Sequence, residues 1–328
     1  MNNISFLVGN TPITKLEYHN NTIFLKLESF NPGLSIKDRV AFYICHQLSA
    51  RKGLQGKRVV EYSSGNLAIG LAQASKVWGF NLTLIITSGT SPDKIKLLQR
   101  YGIDLIMVDE NEHSLSPLGF RGFAQQVAAQ DSAIFIDQFN NPLNPEAHQR
   151  FTGPEIHKQV PVVDYIFAAM GTGGTATGIA RYFRENKPDT KVIGVSPNSG
   201  VFFTSFHKLN TKRSPVSSKI EGVGEDFLPA NLDLQAISGV VEVEDDSAIE
   251  QQAYLLNNAG IFVGGSSGLA LAGAMQFVDK YNLIGQSIVV ICPDSGNRYL
   301  ANFVPKSAPS PYSNFVREKR MGNFPCLV

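Results

Sequence analysis

Four short stretches of the chain carry groups that could do chemistry. Lys37 stands in Asn31-Pro32-Gly33-Leu34-Ser35-Ile36-Lys37-Asp38-Arg39, between the apolar strand Ile23-Phe24-Leu25-Lys26-Leu27 and the helical run Val40-Ala41-Phe42-Tyr43-Ile44. The Pro-Gly turn marks a strand-to-helix junction. The positive end of a helix dipole disfavours the ammonium form there, and a partly neutral lysine attacks carbonyls and forms Schiff bases. A lone loop lysine is most often only a surface residue, so its company decides. After a strand ending Ala168-Ala169 comes Met170-Gly171-Thr172-Gly173-Gly174-Thr175-Ala176-Thr177-Gly178. A glycine-rich turn opening a helix presents backbone N–H groups and suits a phosphate dianion. The same stretch matches G-x-G-x-x-A, a dinucleotide fingerprint. The next strand, however, ends Val195-Ser196-Pro197 without the carboxylate that a ribose needs, and a single phosphate fits better. Ser63-Ser64-Gly65-Asn66 is a second turn into a helix, able to hold a carboxylate or to serve as a plain cap. Gly264-Gly265-Ser266-Ser267-Gly268 is a third, and by itself could be only a glycine-rich cap.

These groups need elements that bring them together. Short apolar runs alternate with helical ones: strands at Val59–Tyr62, Leu82–Ile86, Ile103–Val108 and Ile134–Ile136, with helices at Leu67–Trp78, Ser91–Tyr101 and Phe120–Ala129. The theme restarts with strands at Tyr165–Ala169, Val192–Val195, Val240–Val243 and Ile288–Ile291, and helices at Thr175–Asn186, Asp246–Asn258 and Gly268–Lys280. Runs that are apolar throughout belong to parallel strands buried on both faces. Two successive series predict two doubly wound α/β domains, which bind ligands at the carboxyl ends of their strands. A lysine, a phosphate cradle and a carboxylate cradle at such ends together suggest pyridoxal 5'-phosphate and an amino-acid substrate.

Composition narrows the field. The 328 residues are 43% hydrophobic and 17% charged with a net charge of +1, which fits large buried cores and gives no reason to expect nucleic acid or an anionic membrane as partner. No export signal or membrane-spanning run is read, and three cysteines (Cys45, Cys292, Cys326) are too few for a disulfide framework, so a cytoplasmic location is expected. Cys45 and His46 are neighbours on a helix and point in different directions, so no metal site is expected. His148 and His157 are read as structural. The Pro-containing tail after Val304 is read as loop.

The chain resembles the fold-type II pyridoxal-phosphate enzymes of the cysteine synthase and cystathionine β-synthase family. The likeness runs from about Val8 to Tyr299, through Gly9-Asn10-Thr11-Pro12, Leu27 to Gly33, Ser35 to Arg39, Ser64-Gly65-Asn66, Gln138 to Pro142, Thr152 to Ile156, the turn at 171 to 175, Glu221 to Gly224 and Pro293-Asp294-Ser295-Gly296. It implies a tryptophan synthase β-like fold with a smaller, partly mobile domain at 36–145 and a larger one formed by 1–35 and 146–328. By the resemblance, Lys37 bonds the cofactor and moves the α-proton, Gly171, Thr172, Gly173, Gly174 and Thr175 hold its phosphate, and Asn66 meets its ring hydroxyl. Ser266 faces the pyridine nitrogen, Ser63, Ser64, Gly65 and Gln138 hold the substrate carboxylate, and Gly222 lines the site. A hydroxyl at the pyridine nitrogen makes a weaker electron sink than a carboxylate, which favours expulsion of a group at Cβ.

The implied reaction is β-substitution on L-serine or O-acetyl-L-serine through an aminoacrylate, giving L-cysteine or a related β-substituted alanine, in a homodimer. Alternatives of the same class use homocysteine, as in cystathionine β-synthase, or an amino-acid amine, as in the making of diaminopropionate precursors; a serine/threonine dehydratase is a third. Leu34 stands where the family usually has glycine, and Leu67 where cysteine synthases usually have threonine. Glu225 and Asp226 are adjacent acids, with no Lys or Arg in residues 222 to 229. If they rim the site they repel a phosphorylated donor and favour a zwitterionic or cationic second substrate; otherwise both face water.

Overall fold

The computed structural model describes residues 3–112, 116–130, 132–209 and 218–300. The chain enters through an antiparallel hairpin, β1 (Ile13–Tyr18) and β2 (Asn21–Leu27), and then starts α1 (Lys37–Lys52). It next builds β3 (Arg58–Tyr62), α2 (Asn66–Trp78), β4 (Asn81–Thr87), α3 (Pro92–Arg100), β5 (Asp104–Val108), α4 (Phe120–Gln130) and β6 (Ile134–Phe135). Helices α5 (Leu143–Ala147) and α6 (Gly153–Gln159) lead to β7 (Tyr165–Ala169), α7 (Gly174–Asn186), β8 (Lys191–Pro197) and α8 (Phe202–Phe206). β9 (Gly239–Val243), α9 (Asp245–Ala259), α10 (Gly265–Tyr281) and β10 (Ser287–Cys292) complete the described order.

Two sheets result. One runs β5-β4-β3-β6, all parallel; the other runs β1-β2-β10-β7-β8-β9, parallel except for the β1–β2 pair. Both are covered on both faces, as continuous apolar strands require. Val59, Leu82 and Leu84 pack with α1 and α2 on one side of the smaller sheet, and Val60 and Ile85 pack with α4 on the other. Val290 and Val195 of the larger sheet pack with α10, whereas Val289 and Val192 pack with α7. The two-domain α/β expectation is therefore met. β1 adds an edge strand that was not anticipated, because its burial is weak and partial.

Local signals set the helix ends. Ser91 accepts from the Lys94 N–H and Pro92 opens α3. Gly79 closes α2 in the left-handed region at φ 67°. Helix α10 begins at Gly265, three residues earlier than the Gly-rich run suggests, which puts Ser266 in its first turn. The stretch around His148 is a π turn, His148–Thr152, between α5 and α6.

A buried ion network fixes the start of α1. Arg39 donates to Glu28 at 2.6 and 2.8 Å and to Glu155 at 2.9 and 3.0 Å, while Lys26, fully buried in β2, pairs with Glu155 and donates to Gln159 at 2.7 Å. Two cations and two anions balance, which is what allows a lysine inside an otherwise apolar strand.

Candidate active site

The carboxyl ends of β3, β7 and β10 lead into one cavity of about 260 Å³, walled from both sheets. Lys37 is the first residue of α1 and lines it. Its ammonium is held below the ordinary lysine range, chiefly by burial, with the nearby Asp294 and Glu225 carboxylates opposing. Desolvation thus supplies the shift that the helix end alone was expected to give.

Across the cavity lie Gly171, Thr172, Gly173 and Thr175. Gly173 is left-handed at φ 76°, and a Cβ on Gly171 would stand 2.2 Å from the Gly222 carbonyl oxygen, so this turn requires glycine at both places. Behind the turn runs the 13-residue helix α7, whose first N–H groups have no intrahelical partner. Thr172 Oγ1 accepts from Asn144 Nδ2 at 3.1 Å and from the Gly174 N–H at 3.4 Å. Gly174 itself is buried against Asn144 and is not part of the cavity wall. Thr175 Oγ1 is 3.2 Å from His148 Nε2, and His148 Nδ1 is 2.9 Å from Thr152 Oγ1. His148, expected to be only structural, therefore backs the turn. Burial first, then the Lys37 and Arg39 charges, hold its pKa well below the usual value, so the ring is neutral.

Ser63, Ser64, Gly65, Asn66 and Gln138 line the same cavity, as do Gly222 and Ser266. Gln138 Nε2 donates to Glu61 Oε1 at 3.4 Å and to the Tyr62 carbonyl at 3.3 Å. Leu67 lines the same cavity, buried, and contributes no hydroxyl to it. Glu225 also lines the cavity, whereas Asp226 is exposed, so the adjacent acids divide between the two environments. Burial, reinforced by Asp226, pushes the Glu225 carboxyl up to about 7, against the pull of Arg121 and Lys37.

Several neighbours escaped the sequence reading. Asp294 and Tyr299 line the cavity, and Glu221 reaches across to Lys94 of α3 at 2.5 Å. Arg121 of α4 is buried with its guanidinium 4.0 Å from the Phe227 ring and 5.5 Å from that of Phe139. Asp294 sits in a quoted motif, and Glu61 interrupts an apolar strand; both were signals of buried acids. Cys45 packs in the core with its thiol pushed up by burial, whereas His46 is exposed, so the packing expected of both holds for the cysteine alone. Among the described residues no cluster of three His, Cys, Asp or Glu could hold a metal, and no helix is long and apolar enough to cross a membrane. Cys326 and the Pro-containing tail lie outside the described residues.

A lysine facing a glycine- and threonine-rich helix start across a cleft between two α/β sheets defines a class: enzymes that hold a phosphorylated aldehyde by both ends. Residues 4–294 match the model of the pyridoxal-phosphate dependent enzyme family, and the chain belongs to it. A cysteine synthase of Buchnera aphidicola subsp. Schizaphis graminum is 36% identical over 306 residues, covering 90% of this chain and 93% of that protein. Cystathionine beta-synthase of Saccharomyces cerevisiae is 32% identical over 319 residues, 92% of this chain and 62% of the relative. Among solved structures, that of O-ureido-L-serine synthase superposes with a TM-score of 0.86 at 28% identity, covering 96% of this chain and 99% of that one. The chain is a pyridoxal-phosphate-dependent enzyme of the β-replacement type. The glycine turn, where a Cβ would strike backbone, and the desolvated lysine fit that cofactor.

Proposed function

We propose that this enzyme replaces the β-substituent of L-serine or O-acetyl-L-serine with a small nucleophile, as a cysteine synthase does. The observation that carries the reading is that Lys37, the Gly171–Thr175 turn and the Ser63–Gln138 carboxylate cradle share one cavity. When bound, the cofactor supplies an electron sink that acidifies Cα and loosens the group at Cβ. Lys37 would tether it and, once displaced by substrate, carry the Cα proton on Nζ; its depressed basicity suits both tasks. Gly171, Thr172, Gly173 and Thr175 would hold the phosphate, with Gly174 shaping the turn from behind. Asn66 would meet the ring hydroxyl and Ser266 the pyridine nitrogen. Ser63, Ser64, Gly65 and Gln138 would orient the substrate carboxylate, and Gly222 would leave room above it. Glu225 would repel a phosphorylated donor at close range.

A second reading has support of its own. Glu225 in the cavity wall and the missing hydroxyl at Leu67 favour an amino acid as nucleophile, through homocysteine sulfur or an amine. The smaller unit at 36–145, mobile against 1–35 plus 146–328, and a cytoplasmic homodimer complete the proposal. The exposed Phe6, Leu7 and Phe151 support a subunit contact, which sedimentation of the wild type against Phe6→Asp tests. The central experiment mixes the holoenzyme separately with serine, O-acetylserine and O-phosphoserine and follows the cofactor absorbance. The responsive donor is then offered sulfide, homocysteine and an amino-acid amine. Pyruvate released without any acceptor would mark a dehydratase instead, and no response to any donor refutes the proposal.

A further inference from the structure

Asn66 is not free to choose its orientation. Its Nδ2 donates to Asp294 Oδ2 at 2.6 Å and lies 3.3 Å from the Tyr299 hydroxyl. That hydroxyl donates to the same Asp294 oxygen at 2.5 Å. Asn66 opens α2 beside the smaller sheet, whereas Asp294 and Tyr299 follow β10 of the larger one, so the three groups join the two walls of the cavity. Asp294 is 2% exposed and pressed against Gly264, where a Cβ would come within 2.0 Å of Oδ1. Oδ1 has no hydrogen-bond partner, so Asp294 spends its bonding on Asn66 and Tyr299 through one oxygen. A carboxylate can only accept, and this fixes which end of the Asn66 amide points at it.

We propose that Asp294, assisted by Tyr299, is a positioning residue that locks the Asn66 amide beside the cofactor ring and so sets the proton balance of the ring oxygen. The inference rests on the placement of Asn66 and Lys37 proposed above. With its Nδ2 donating to Asp294 and Tyr299, the anchored amide keeps only the unpartnered Oδ1 acceptor to offer, and an amide released from its anchor can turn over and offer a donor there instead. The two tautomers of the cofactor–lysine chromophore absorb at different wavelengths and report that change directly, which a merely structural loss would not.

The test compares the ratio of the two absorption bands, its pH midpoint and the cofactor Kd in Asp294→Asn, Asp294→Ala, Tyr299→Phe and the wild type. Asp294→Asn, nearly isosteric, keeps the experiment readable if the alanine variant folds poorly. Both Asp294 variants are expected to shift the band ratio and weaken cofactor binding about 10-fold or more, as loss of a charge-assisted bond does, with Tyr299→Phe intermediate. Lys37→Ala serves as the separate check: if it keeps the chromophore, the underlying placement is wrong. If it loses the chromophore while Asp294→Asn and Tyr299→Phe keep the wild-type band ratio and Kd, the role given to Asp294 is overturned.

Discussion

Replacing Gly171 with alanine tests the phosphate cradle at its tightest point. The added Cβ would stand 2.2 Å from the Gly222 oxygen and 3.2 Å from its carbonyl carbon, and Cβ atoms do not approach heavy atoms closer than 3.0 Å. The backbone must therefore retreat by about 0.8 Å or more, and it cannot do so alone. The Gly224 N–H donates to the Met170 carbonyl at 3.1 Å, tying the two segments together. The displacement falls on the N–H groups proposed to hold the phosphate. Losing one hydrogen bond to a charged group costs roughly 1.5–3 kcal/mol, which is about 10- to 150-fold in affinity. Cofactor should be titrated into stripped protein by absorbance, beside Gly239→Ala. There the new Cβ meets only the Ile193 Cδ1 at 3.2 Å, a methyl that can yield, and affinity should stay within about twofold. If Gly171→Ala binds cofactor as tightly as the wild type at an equal thermal midpoint, the cradle has been misplaced.

Three further outcomes follow from the same geometry. Arg39→Met leaves the fully buried Glu28 without its cation and should cost about 3–5 kcal/mol in urea denaturation; a loss near zero would mean the network is dispensable. For Glu225, the folded pKa of about 7 lies above the unfolded carboxyl value, so its ionisation costs stability as pH climbs from about 4.5 to 7 and adds negative charge to the cavity over the upper part of that range. The KM for an amine-bearing acceptor should then fall between pH 6 and 8 in the wild type and stay flat in Glu225→Gln, with equal slopes counting against the carboxylate. His148→Leu should weaken cofactor binding several-fold by freeing the Thr175 hydroxyl. Because the ring is already neutral, it should leave the pH profile of kcat/KM unchanged between pH 5 and 8; a vanished ionisation would show that His148 titrates there.

Much of the fold could be read from continuous apolar strands, because parallel strands covered on both faces leave few ambiguities. The hairpin strand β1 was invisible, since Ile13–Tyr18 is an edge with only partial burial. The region from Leu143 to Gln159 was blurred by Pro145, Gly153 and Pro154 around a π turn, where helical periodicity is lost. Candidate residues at glycine-rich strand ends, which the structure gathers round one cavity, could be picked out because loop chemistry is local in sequence. Arg121 was not: one arginine in a small-residue helix reads as solvent-facing, and its rings come from Phe139 and Phe227. Lys26 was missed for the same reason, with its partners at Glu155 and Gln159 far along the chain.

The route of the chain has its own consequence. The four-stranded sheet is threaded entirely between β2 and β7, so it is an excursion that leaves one framework and comes back to it. Lys37 sits on the outbound crossing, while Gly171–Thr175 lie just past the return. Under the roles proposed above, cutting out the excursion would leave an anchor for the anion without a tether for the aldehyde, and the excised piece would carry the opposite deficit. Neither fragment would hold the proposed site whole; that site exists only as the meeting of two departures from a single strand bed.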